Sequence, residues 1–88
     1  MQDYEAKEIL EKEIYSNGNC PDIIIDGGFS VEDISDISLE VNTHDFVSGT
    51  CTIETNHTEG GDVPLYGKFE ITINNGDNEV VFKDFDLE

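Results

Sequence analysis

The chain of 88 residues has no arginine, no tryptophan and only four lysines. So few cations leave it little means of holding an anionic substrate. Direct binding of nucleic acid is excluded on the same ground, because that contact needs a basic patch or stripe. Histidine occurs twice, as His44 and His57, and cysteine twice, as Cys20 and Cys51. Their spacing fits no zinc pattern, and the histidines read as solvated loop residues. Cys51 falls in a strand pattern and reads as a small buried hydrophobe, so both thiols are expected to be free. The longest apolar run, Ile23-Ile24-Ile25, is far too short to span a membrane. The stretch Met1-Gln2-Asp3-Tyr4-Glu5 has no basic n-region leading into an apolar h-region. A cytoplasmic location without membrane contact is therefore expected, and Asn56-His57-Thr58 is read as a chance glycosylation sequon.

Catalytic signatures are missing too. There is no nucleophile elbow, phosphate loop or Cys–His signature. Carboxylate pairs are so numerous that their presence discriminates nothing. Neither Asn74–Glu79 nor Asn56–Asp62 has the ligand order of a calcium loop, and both read as turns. The expectation is a protein that is not an enzyme and uses no cofactor or metal.

What the chain does have is acid. Twenty-one aspartates and glutamates face the four lysines, for a formal charge of −17. An ordinary small domain keeps a net charge of about 2–8 in magnitude. Charge of one sign repels itself and opposes compaction. Yet 36% of the residues are hydrophobic, five of them phenylalanine. That composition belongs to a folded domain and not to a disordered acidic tail. The length suits one domain, residues 1–88.

Residues 3–16 read as a helix, with Ala6, Ile9, Leu10 and Ile14 on one stripe. Gly18 suits a left-handed cap, and Pro21 confirms the break. Ile23-Ile24-Ile25 reads as a short strand or buried connector. Ser30, Asp33, Phe29 and Ile34 carry helix-start chemistry, which predicts one helical turn over roughly 31–36. The period then changes to two. Ile37, Leu39 and Val41 form one apolar face, then Val47, Cys51 and Ile53, then Leu65, Phe69, Ile71 and Ile73. Asn75-Gly76 signals a tight hairpin. The last strand places Val80 and Phe82 on one face and resumes out of phase with Phe85 and Leu87. A bulge near Lys83-Asp84 reconciles the halves. The fold expected is α+β: an N-terminal helix packed on an antiparallel sheet of about four strands.

The acids gather on the helix, on the connector through Asp33 and Asp36, and on the C-terminal hairpin. A compact domain of this length is about 30 Å across, and duplex DNA of that length carries about 18 phosphates. The charge is thus adequate to occupy a groove built for nucleic acid. Candidate contact residues are Asp77, Glu79, Asp84, Asp86 and Glu88 on the hairpin, Glu5 and Glu8 on the helix, and Asp33 and Asp36 on the connector. Asp84, Asp86 and Glu88 are expected to point the same way along a strand edge. Tyr4, Tyr15, Phe46 and Tyr66 are candidate anchors among them.

In size and acidity, carried by runs such as Glu5-to-Glu13 and Asp84-to-Glu88, the whole chain resembles small phage-encoded or mobile-element inhibitors that mimic DNA, of the anti-restriction and anti-CRISPR class. That resemblance implies a basic nucleic-acid-binding partner, a nuclease or CRISPR effector, whose DNA or RNA site is blocked by charge mimicry. It also resembles acidic immunity proteins that neutralise nuclease toxins. A third reading is a structural or assembly module whose acidity serves solubility alone.

Overall fold

The computed structural model describes residues 1–57 and 59–87. The elements run α1 (Asp3–Asn17), α2 (Asp22–Gly27), β1 (Ser30–Asn42), β2 (Phe46–His57), β3 (Gly61–Asn74) and β4 (Asp77–Leu87). The strands form one antiparallel meander in the order β1-β2-β3-β4. The helices pack on one face of it, giving the expected α+β architecture.

Helix α1 forms where its apolar stripe lies. Ala6, Leu10 and Ile14 are buried and Ile9 is half-buried. At its start Glu5 Oε1 accepts the Gln2 N–H at 2.9 Å, one half of a capping box. At its end Gly18 adopts φ 70°, and the Asn19 N–H closes on the Glu13 carbonyl at 3.1 Å. Side-chain bonds then tie the helix to both edges of the sheet. The Met1 ammonium donates to Asn42 Oδ1 at 2.8 Å, and Asn42 Nδ2 returns a bond to the Met1 carbonyl. Asn19 Nδ2 donates to the Val80 carbonyl at 3.0 Å.

Rows of side chains cross the covered face of the sheet. Val47, Ile71 and Val80 make one row; Leu39, Gly49, Phe69 and Phe82 make the next. Ile34, Ile53, Leu65 and Leu87 make another toward the far end. Phe69, Ile53, Leu65 and Leu10 are fully buried and form the centre of the core. At the β3–β4 hairpin, Asn75 and Gly76 both have positive φ, 46° and 91°, as a type I′ turn demands.

Two elements differ from the expectation. Ile23-Ile24-Ile25 lies in α2, neither a strand nor an irregular connector. Isoleucine is a modest helix former, but the punctuation around it is strong. Pro21 precedes the helix, Asp22 sits in its first turn, and Gly28 closes it at φ 69° while Ile24 is buried. The second difference is residues 31–36, which are extended within β1 and not helical. Val31, Ile34 and Ile37 are spaced by three, as on a helix. Here the spacing comes from irregularities in register between Val31 and Asp33 and between Ser35 and Ser38. Each bulge adds a residue and so restores the next apolar side chain to the same face. A third bulge, between Leu39 and Val41, turns Val41 to the open face, where it is 43% exposed. In β4 the predicted bulge is present: Lys83 pairs with Lys68 and Asp86 with Tyr66, so Asp84 and Phe85 together oppose Gly67. Strands β2 and β3 run closer together than expected, leaving 58–60 between them.

Candidate partner-binding surface

None of the described acidic side chains is buried. Two ion pairs form among the described residues, Lys7 Nζ to Asp33 Oδ1 at 3.2 Å and Lys83 Nζ to Glu70 Oε2 at 3.1 Å. Most of the negative charge is therefore displayed without an internal cation. The fold distributes it unevenly. The open face of the sheet carries the cross-strand pair Lys68–Lys83 amid hydroxyls from Ser38, Ser48, Thr50 and Thr52, with Glu54 and Glu70 nearby. That face holds two of the four lysines with Glu40 and Asp86 also upon it, and α1 carries the other two, Lys7 and Lys12.

The opposite side is built by α1 lying against β1. Tyr4, Glu8, Glu11 and Tyr15 recur at i, i+4, i+7 and i+11, so they form one stripe along the helix. The stripe faces away from Ala6 and Leu10. Tyr4 is 65% exposed and Tyr15 53%. Beside the stripe, Asp3, Tyr4, Lys7 and Asp36 line one shallow groove with Ser35 and Ile37. The electrostatics agree with this proximity. The Tyr15 phenol is pushed above its usual value by partial burial, then by the negative charges of Glu11 and Asp33. The Asp33 carboxyl is held below the usual range, chiefly by the Ile34 N–H that it accepts at 2.8 Å and then by Lys7.

Among the sequence candidates, Glu8, Asp33 and Asp36 thus converge on one surface. Glu5 is adjacent but engaged with the helix start. The hairpin acids do not form a single patch. Asp77 and Glu79 lie at one end of β4 and Asp84 and Asp86 toward the other, with Val81 and Lys83 between them. Asp84 has φ 56°, so it leaves the two-residue alternation, and its carboxylate does not follow the direction of Asp86. Glu88 lies outside the described residues, as does Thr58 of the sequon. Of the candidate anchors, Tyr4 and Tyr15 stand among the acids of α1. Tyr66 lies on the open face opposite Asp86, and Phe46 is half-buried. Glu11 was not singled out from sequence; its signal is its place between Glu8 and Tyr15 on the stripe. Glu13 keeps its charge but is fixed at the end of α1, since Asn17 and Asn19 both donate to its carboxylate at 3.0 Å.

Both cysteines are free thiols. Cys51 is fully buried and its thiol is pushed up to about 12 by desolvation, while half-buried Cys20 is raised less. Among the described residues, no group of three or more His, Cys, Asp or Glu side chains has metal-holding geometry. No described helix is long and apolar enough to cross a membrane.

The fold defines a two-layer α+β protein with a helix on an antiparallel meander. No family model matches the chain, and no curated protein or solved structure shows significant similarity to it.

Proposed function

We propose that this protein is an inhibitor that binds a basic, nucleic-acid-handling protein, such as a nuclease or CRISPR effector, and occupies its DNA or RNA site with carboxylates in place of phosphates. The supporting observation is the net charge of −17 displayed on an ordered scaffold with only two internal ion pairs among the described residues. Its dimensions suit the role. The long axis is 42 Å, and a duplex of that length carries roughly 25 phosphates.

The contact surface on this reading is the α1–β1 side, with Glu8, Glu11 and Asp36 supplying charge, Asp33 held beside them by Lys7, and Tyr4 and Tyr15 supplying contact area. Aromatic residues among charges are the usual anchors of such interfaces. Long-range attraction steers the encounter and weakens as salt rises.

The test is a pull-down at low salt from the source cell, followed by competition with DNA. The wild-type protein should retain a basic nucleic-acid-binding protein, and DNA should displace it. The triple variant Glu8→Lys, Glu11→Lys, Asp36→Lys should lose it, while Asp77→Lys with Glu79→Lys retains it. Recovery of no basic protein, or a complex indifferent to the triple reversal, rejects the reading.

A further inference from the structure

A groove of about 430 Å³ runs between the connector Asn19–Ile23 and the edge strand β4 from Val80 to Phe85. Its apolar wall is made by Pro21, Ile23, Phe82 and Phe85. The two phenyl rings meet edge to face across the bulge, with centroids 5.8 Å apart. Asp22 and Asp84 stand on the rim, both exposed. The one cation beside it, Lys83, has its ammonium held by Glu70. The groove thus has one apolar wall within an otherwise polar lining, and its border is anionic.

Its backbone side is also unusual. Asn19 Nδ2 bonds the Val80 carbonyl from outside the sheet, so that carbonyl points away from β3. In an extended strand the N–H and C=O of one residue point to one side, and alternate residues repeat it. The Phe82 backbone donor and acceptor are therefore directed outward at the strand edge, alongside the apolar wall.

We propose that this groove receives an extended basic segment of the partner, which pairs with the β4 edge at Phe82 and seats one apolar side chain against Ile23 and Phe85. Lysines or arginines flanking that side chain would meet Asp22 and Asp84. Edge pairing supplies main-chain bonds, and a pocket for one side chain supplies selectivity. The inference rests on the reading of the protein as a binder of basic proteins. It assigns a second contact, remote from the helix stripe, that selects among such proteins.

Cys20 borders the groove and is half-exposed, whereas Cys51 is buried, so alkylation reports on the groove. The probe is a blocked pentapeptide with a central leucine between two pairs of lysines, set against blocked pentalysine. The concentration that half-protects Cys20 from iodoacetamide should be about tenfold lower for the leucine peptide than for pentalysine, the value of one seated aliphatic side chain. It should also shift the Phe82 amide resonance. Asp22→Lys with Asp84→Lys should abolish the protection. Equal protection by the two peptides, or none by either, overturns the proposal. The pull-down separates the two readings. A basic partner retained equally by Cys20-alkylated protein overturns the groove alone. Absence of any basic partner overturns the general reading, while the peptide experiment still decides the groove.

Discussion

The Phe85 side chain lies directly over Gly67, so that a Cβ on Gly67 would come within 2.5 Å of Phe85 Cγ and 2.8 Å of its Cα. The same device recurs across the sheet. A Cβ on Gly49 would meet the Ser38 carbonyl oxygen at 2.0 Å, beside the bulge of β1. Each glycine lets the neighbouring edge strand fold inward over it at a bulge. Gly67→Ala should cost about 1–3 kcal/mol through overpacking. Gly49→Ala should cost at least as much, because all three of its nearest atoms are backbone or Cα atoms that cannot rotate aside. Thermal unfolding checks both, at about 4–8 °C per kcal/mol for a domain of this size.

Asp84 and Asp36 sit at the bulges with φ of 56° and 50°. A side chain in the left-handed region is strained, and glycine is not. Asp84→Gly should leave stability unchanged or raise it slightly, whereas Asp84→Val should lower it by about 1–2 kcal/mol. Urea titrations of both variants decide the matter. A loss with glycine equal to that with valine would mean that the carboxylate, and not the backbone, matters there.

Burial raises the Cys51 thiol to about 12. The folded protein therefore keeps this proton in a range where the unfolded chain releases it. The stabilisation is fully present below the ordinary thiol value near 9. It is lost as pH rises toward the folded value, with a slope approaching about 1.4 kcal/mol per pH unit. In a Cys20→Ala background, urea stability from pH 8 to 10.5 should fall more steeply with Cys51 than with Cys51→Ala. Parallel curves would show that the thiol is not shielded.

Salt should act in opposite directions on the folded protein and on its complex. Screening relieves the repulsion within a chain of charge −17 and should raise its melting temperature between low and physiological ionic strength. The same screening should weaken capture of the basic partner. A partner held equally well at both ionic strengths would argue for a contact dominated by apolar burial.

Much of this architecture is legible in the residue order. The α1 stripe, the Asn75-Gly76 hairpin and the phase slip at Lys83-Asp84 each carry a local rule that tertiary packing respects. The misread stretch, 31–36, fails for an instructive reason. Bulges in β1 give Val31, Ile34 and Ile37 a spacing of three, and that spacing is indistinguishable from a helical stripe until the partner strand is known. Ile23-Ile24-Ile25 misleads differently, since residue preference yields there to the stops at Pro21 and Gly28. For the candidate surface, the acids are countable but their convergence is not. Asp36 lies beside Tyr4 only because α1 is fastened along β1 through Met1–Asn42 and Lys7–Asp33. The separation of Asp77 from Asp84 likewise depends on strand length and the bulge.

The fold sets Lys68 and Lys83 side by side on the open sheet and leaves Lys7 and Lys12 on α1, so each flank keeps its own pair of cations. A basic cleft would therefore pull on either flank, and the choice between them would fall to aromatic contact by Tyr4 and Tyr15 once the two bodies touch.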